Sequence, residues 1–151
     1  MSGVYEIVDV PEQPCVFIRR TISQNQLGEF YMELLPKVFQ YITEQGQPGA
    51  PPFGRYPDWG ETDCTVEGGV TTWIPLPGNG EIVSGTLDGC KAVHATHMGS
   101  YDGLQDSYQK LFAWFNDQGY KVGGAPFEVY VDDPGSKPEA EVRTEIYTPI
   151  A

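Results

Sequence analysis

The chain has 151 residues, with nine lysines and arginines against 21 aspartates and glutamates, which gives a formal net charge of -12. A chain of this length is expected to form one domain that buries about two thirds of its unfolded surface without disulfides. The negative charge would repel a phosphate backbone, so direct nucleic-acid binding is not expected, whereas cations would be attracted. No segment resembles a signal peptide or a membrane span, and the three cysteines include no CxxC pair. We therefore expect a soluble cytoplasmic protein with reduced thiols and no membrane association.

The first half of the chain predicts two strands followed by one helix. Residues 4–10 and 14–22 are rich in valine, isoleucine, phenylalanine and tyrosine, and a Pro-Glu-Gln-Pro turn separates them. Ser23 and Gln26 have the spacing of a capping box at the start of a helix. Apolar side chains then recur at helical spacing, which predicts a helix with one apolar face, formed by Leu27, Phe30, Tyr31, Leu34, Leu35, Val38, Phe39 and Ile42.

Proline and glycine mark the rest of this half. Pro36 lies inside the helical pattern and lacks a backbone donor, so we expect a kink or a break near residues 32–35. Gly46 is expected to end the helix. The next two strands are predicted at residues 53–58 and 64–74, before a segment dense in proline and glycine.

The second half repeats this order of elements. Strands are predicted at residues 82–87 and 90–98, a helix at 101–118, and further strands at 126–132 and 141–148. The apolar stripe of this helix is formed by Leu104, Tyr108, Leu111, Phe112 and Phe115. Corresponding landmarks in the two halves are separated by about 72 to 75 residues, which indicates a tandem duplication of a strand-helix-strand-strand unit.

The predicted fold class is therefore α+β. We expect a single domain with one repeat at about 4–76 and the other at about 82–150, related by a pseudo-twofold axis. An antiparallel sheet would carry the helices on one face, because each helix has one apolar side. The seam between the repeats is a common place for a small-molecule cleft.

The two halves differ at positions whose side chains would contact a ligand in such a cleft. Gly54 in the first half corresponds to Glu128 in the second, and Trp73 corresponds to Glu145. One wall of the cleft would then be aromatic and the other anionic.

Strand alternation suggests which side chains share a face. Glu128 and Tyr130 alternate with apolar neighbours, and Glu145 and Tyr147 do the same on the next strand. The apolar sets are expected to pack against the helices, which puts these two carboxylates and two phenols together on the other face of the sheet. The alternative is that they are ordinary solvated residues, with Glu145 bound by Arg143 or by a backbone amide.

Aromatic residues supply the other candidate ligand contacts. By the same parity, Tyr56 and Trp73 would face the region of Glu128, and Phe53 and Tyr101 lie near the predicted strand and helix starts. Aromatic rings around one carboxylate suit a flat or quaternary cation, and each desolvated cation-π contact is worth about 2 kcal/mol.

The histidines do not indicate a metal site. His94 and His97 are three residues apart on a predicted strand and would point to opposite faces, so they cannot bind one ion together. We interpret both as ordinary, partly buried histidines. The sequence has no phosphate-binding loop and no nucleophile or zinc motif, and no cofactor is expected.

An ordered set of motifs in the second half resembles the GyrI-like small-molecule-binding domain, which is also the effector-binding module of AraC-type and MerR-type multidrug regulators. The motif set consists of His97-Met98-Gly99-Ser100-Tyr101, Leu104, Tyr108, Leu111, Trp114, Gly119, Glu128, Tyr130, Asp133-Pro134, Thr144-Glu145-Ile146 and Pro149-Ile150. The resemblance implies a duplicated strand-helix-strand-strand fold with the ligand in the groove between copies. It also implies that Glu128 is the central acidic residue of an aromatic pocket for lipophilic, often cationic, compounds.

The chain carries no helix-turn-helix, so the resemblance implies a stand-alone binding protein. Members of this kind suggest two alternatives to simple binding. One is a hydrolase of cyclopropane-bearing, DNA-alkylating natural products, with Glu128 and Tyr130 as the catalytic pair and without a metal; partial desolvation would raise the pKa of Glu128 toward a value useful for proton transfer. The other is an inhibitor-like partner of DNA gyrase or of a regulator. The sequence does not decide the oligomeric state.

Overall fold

The computed structural model describes residues 5–132 and 137–151, which fall into two compact units. The first unit comprises residues 11–89, and the second comprises residues 5–10 together with 90–151. Each unit contains four antiparallel strands and one longer helix, so the predicted α+β class is confirmed. Within residues 5–132 and 137–151, no helix combines the length and the apolar character needed to cross a bilayer.

The first unit has the strand order β3-β4-β2-β5. Its elements are β2 (Gln13–Ser23), α1 (Leu27–Glu44), β3 (Phe53–Trp59), β4 (Asp63–Thr71) and β5 (Val83–Leu87). The apolar side of α1 packs on β2 and β4, with Leu34, Val38 and Ile42 buried against Val16 and Val66. Ser23 opens this helical region as predicted, because its backbone N–H donates to Gln26 Oε1 at 3.2 Å.

The second unit has the strand order β1-β6-β8-β7. Its elements are β1 (Glu6–Val10), β6 (Cys90–Met98), a 3-10 turn (Tyr101–Gly103), α2 (Leu104–Asp117), β7 (Phe127–Tyr130) and β8 (Arg143–Pro149). Leu111 and Phe115 of α2 are buried against Val93 and Ile146, so α2 covers one face of this sheet.

The sequence predicted a kink or a break in α1; the break is wrong, and the kink stays a prediction. The helix runs without interruption from Leu27 to Glu44 with Pro36 inside it. Proline removes one backbone donor, but Leu34 and Val38 on either side are fully buried in the core. Packing of the apolar face therefore holds the helix together across the missing hydrogen bond.

The N-terminal strand lies away from its neighbour in sequence. β1 pairs with β6 of the second unit, while β2 pairs with β4 and β5. Both edges of β2 are thus occupied, which leaves no edge for β1. The compact units consequently differ from the predicted repeats at 4–76 and 82–150, although β2-α1-β3-β4 and β6-α2-β7-β8 follow the same order of elements.

Candidate functional site

The register of β7 against β8 places Glu128 on the face of the sheet that α2 covers. Glu128 is directly opposite Ile146, and Tyr130 is directly opposite Thr144. Directly paired residues of antiparallel strands share a face, and Ile146 packs in the core with Leu111 of α2. The carboxyl group of Glu128 therefore points into the space between strand and helix.

Two phenols hold the Glu128 carboxyl group. The Tyr108 hydroxyl donates to Oε2 at 2.6 Å, and the Tyr130 hydroxyl donates to Oε1 at 2.7 Å. Short O–H···O bonds of this kind are typical of an ionised acceptor. Glu128 is only 4% exposed, so α2 and β7 together enclose an acidic group with bonded phenols on both oxygens.

Burial raises the pKa of Glu128 above its ordinary value of 4.5 because desolvation disfavours the charged form. The hydrogen bonds from Tyr108 and Tyr130 act in the opposite direction, and so does the nearby His97 when it is protonated. Desolvation is the largest of these effects. Glu128 therefore retains its proton to a higher pH than a solvated glutamate does.

Tyr101 extends the cluster toward solvent. Its ring packs edge-on against Tyr130, with ring centroids 5.6 Å apart and an angle of 60° between the planes. Tyr101 is 40% exposed, whereas Glu128 is buried. We call Glu128, Tyr101, Tyr108 and Tyr130 the acid-phenol cluster.

The prediction that Glu128 and Tyr130 lie on the face away from the helices is wrong, because α2 covers their face. The prediction that Glu145 and Tyr147 share that face with them is wrong as well. Glu145 is opposite Val129, and Tyr147 is opposite Phe127, so both lie on the face away from α2. The parity argument failed because it assigned the apolar side chains of β7 to the helix side. In the structure Phe127 stacks on Tyr147 on the other face, with ring centroids 4.9 Å apart.

Glu145 belongs to a separate polar network on that face. Its Oε2 contacts His94 Nε2 at 2.8 Å, and its Oε1 accepts a hydrogen bond from Thr96 at 2.6 Å. The other ring nitrogen of His94 contacts Glu6 at 3.0 Å. These partners differ from the Arg143 or backbone amide considered from the sequence.

Phe53, Tyr56 and Trp73 belong to the first unit. Phe53 is buried, and the Tyr56 hydroxyl lies 2.9 Å from the Tyr31 hydroxyl on α1. Trp73 follows the end of β4 at Thr71 and is 81% exposed, whereas the sequence placed it inside the strand. The contribution of these three residues to ligand binding stays a prediction.

Sequence reasoning missed Tyr108. It was assigned to the apolar stripe of α2 because its spacing fits that stripe. The available signal was chemical, because a tyrosine buried on an otherwise apolar face needs a partner for its hydroxyl group.

The two histidines lie on opposite faces, as predicted. His97 is buried on the α2 side, where Nδ1 contacts Ser107 Oγ at 2.7 Å and Nε2 contacts the Ser100 carbonyl at 2.8 Å. Among the described residues, no group of three or more histidine, cysteine or acidic side chains could hold a metal ion. Asp133 and Pro134 of the motif set, and residue 4 of the first predicted strand, lie outside the described residues.

Comparisons with known proteins show the family of the chain and support its fold. The family model for the GyrI-like small molecule binding domain matches residues 4–151. The EcmrR C-terminal domain is 25% identical, with a TM-score of 0.88 over 100% of this chain and 99% of that domain. The EcmrR chain in the structure of the EcmrR–DNA complex is 26% identical to this chain, with a TM-score of 0.84. The matched region covers 99% of this chain but only 58% of the EcmrR chain. No curated protein matches the chain.

Two more distant structures share the fold alone. SAV2435 bound to tetraphenylphosphonium is 18% identical, with a TM-score of 0.70 over 97% of this chain and 93% of that one. A hydrolase from Listeria innocua is 11% identical, with a TM-score of 0.68 over 97% of this chain and 91% of that one.

Proposed function

Because the chain belongs to the GyrI-like small-molecule-binding family, we propose that it binds lipophilic compounds, preferentially aromatic cations, with Glu128 as the counter-charge. The observation that carries this proposal is a buried carboxyl group whose two side-chain partners are phenols. Among the described residues, no lysine or arginine forms an ion pair with it.

A buried carboxylate without a cation is energetically unfavourable. A cationic ligand would supply the missing charge, while Tyr101, Tyr108 and Tyr130 would contribute aromatic surface and cation-π attraction. The net charge of -12 would also raise the local concentration of cations.

A structural relative supports this class of ligand. SAV2435 is bound to tetraphenylphosphonium, a cation enclosed by four apolar rings, on the same fold. We extend that ligand chemistry to the acid-phenol cluster because the cluster offers one acidic group among rings. We propose that the protein acts in the cytoplasm, where cysteines are kept reduced. Cys15 and Cys64 are buried and form no disulfide, which is consistent with that location.

The test is a titration of tetraphenylphosphonium into the wild type and Glu128→Gln at a series of rising pH values, because a higher pH favours the ionised form of Glu128. Removing the charge should weaken binding by about 10- to 100-fold, the range expected for one charged interaction. Glu145→Gln is the matched control, because Glu145 lies on the opposite face of the same sheet. Equal affinities of the wild type and Glu128→Gln would contradict the proposal.

Hydrolysis of a cyclopropane-bearing alkylating compound is the second candidate, favoured by the raised pKa of Glu128 beside two phenols. Water would form a bond to a ring carbon as the strained C–C bond breaks, and Glu128 would accept the proton of that water. The electron pair would move to a conjugated oxygen, to which Tyr130 would donate a hydrogen bond. Multiple turnover that is lost in Glu128→Gln while binding persists would favour this reaction, whereas stoichiometric capture alone would exclude it.

A further inference from the structure

A polar row crosses the sheet of the second unit beside Glu128. Tyr130 on β7 is directly opposite Thr144 on β8, and Thr144 is directly opposite His97 on β6. All three side chains therefore share the face that α2 covers. Glu128 lies two residues from Tyr130 on the same strand, which makes it the diagonal neighbour of Thr144.

The two outer members of the row have hydrogen-bond partners. Tyr130 donates to Glu128, and His97 contacts Ser107 and the Ser100 carbonyl through its two ring nitrogens. Thr144 is 0% exposed, and within residues 5–132 and 137–151 its Oγ1 has no hydrogen-bond partner.

An orphaned hydroxyl in the core is an uncommon and destabilising feature. Valine has nearly the shape of threonine and suits a strand equally well, so packing alone does not require a hydroxyl at this position. Thr148 has the same kind of unpartnered hydroxyl among the described residues, so the missing partner alone does not indicate a ligand. The position of Thr144 does, because it lies directly opposite Tyr130 and diagonal to Glu128, where a compound bound at Glu128 would supply the partner.

We propose that Thr144 is a specificity-determining residue of the ligand site, whose hydroxyl binds a polar atom of the bound compound. This inference rests on the proposed function. It narrows the ligand class to lipophilic cations that also carry a hydroxyl, an amine N–H or a carbonyl group. Diagonal neighbours on paired strands are about 7 Å apart, so a single substituted aromatic ring can reach both Glu128 and Thr144.

The test uses tetraphenylphosphonium, which has no hydrogen-bonding group, and its three derivatives with one ring hydroxyl at the ortho, meta or para position. In the wild type, at least one hydroxylated isomer should bind more tightly than the parent cation by about 2- to 12-fold, the value of one net hydrogen bond. Thr144→Val should abolish this preference, and Thr144→Ser should retain it.

Thr148→Val is the matched control. Thr148 is also 0% exposed with an orphaned Oγ1 among the described residues, but it pairs with Val93, in a different row from Tyr130. Its replacement should leave the preference unchanged. Thr144→Val should melt at or above the wild-type temperature, because the lost hydroxyl makes no bond within the described chain.

The outcomes distinguish the role of Thr144 from the proposed function. If Glu128→Gln weakens binding of the parent cation while Thr144→Val leaves every isomer ratio unchanged, the role of Thr144 is overturned and the proposed function stands. The role of Thr144 is overturned as well if the wild type prefers no isomer, a result that would assign the hydroxyl to a buried water. Failure of the wild type to bind any of the four cations overturns both.

Discussion

The two units place a tyrosine at the same point of their helices and give it different partners. Tyr31 and Tyr108 are each the fifth residue of their helix, and each reaches down to the sheet. Tyr31 meets the Tyr56 hydroxyl at 2.9 Å, whereas Tyr108 meets the Glu128 carboxyl at 2.6 Å. One unit thus has a neutral phenol pair where the other has an acid.

The buried acids of the two units also differ in how their charge is balanced. Glu67 in the first unit is 5% exposed and pairs with two arginines, Arg55 at 2.6 Å and Arg19 at 3.2 Å. Glu128 in the second unit has phenols instead. The charge of Glu67 is thus balanced within the fold, whereas the charge of Glu128 would be balanced by the cationic ligand that we propose.

The largest expected effect concerns the stability contributed by these acids. Glu67→Gln should lower the free energy of unfolding by about 2 to 4 kcal/mol, because it leaves the largely buried Arg55 without its partner. Glu128→Gln should lower it by less than about 1 kcal/mol, and by less still as the pH rises, since the loss of charged hydrogen bonds is offset by removal of a desolvated charge. Urea denaturation of both variants measures the difference, and equal losses would refute the distinction.

An intermediate effect is expected for the two helix tyrosines. Tyr108→Phe removes a hydrogen bond to a carboxyl group and should cost about 1.5 to 3 kcal/mol, the range for bonds to charged groups. Tyr31→Phe removes a bond between neutral hydroxyls and should cost about 0.5 to 1.5 kcal/mol. Thermal or urea unfolding of the two variants should show this order, and the reverse order would mean that Glu128 is not charged in the folded protein.

The smallest effect is a pH dependence specific to the second unit. The pKa of Glu128 is raised in the folded state, so the folded protein retains its proton more strongly than the unfolded chain. The stability from this group is present below its ordinary value of 4.5 and is lost as the pH rises through the folded pKa.

The wild type should therefore lose stability relative to Glu128→Gln as the pH rises from about 4.5, with a slope of up to about 1.4 kcal/mol per pH unit. Urea midpoints of the two proteins at a series of pH values measure the difference. A constant difference across that range would show that the folded state does not shift this pKa.

Much of the fold followed from local patterns in the sequence. The 3.6-residue period located α1 and α2, and runs of β-branched and aromatic residues located the strands to within a few residues. These features depend on short stretches of chain, for which spacing is sufficient information.

Two features were harder to predict: which face of a strand a helix covers, and which strands pair with each other. In a strand as short as β7, Phe127 and Val129 gave no means of deciding which side the helix covers, and Phe127 packs on Tyr147 instead. The pairing of β1 with β6 joins residues that are 80 to 88 positions apart, beyond the reach of any local pattern. Tyr108 was missed because its ring fits the apolar stripe of α2, whereas its hydroxyl donates a hydrogen bond to Glu128.

β1 precedes the first unit in sequence but pairs in the second unit, and β5 is the last strand of the first unit. This order has a consequence for how the chain could be divided. A cut at Gly80 would leave the N-terminal fragment with β1, an edge strand of the second unit, and without β5, an edge strand of its own sheet. The C-terminal fragment would have the converse defect. Each piece would expose an unpaired sheet edge and carry the strand that its counterpart lacks, so the two should recover native structure by complementation and aggregate when kept apart.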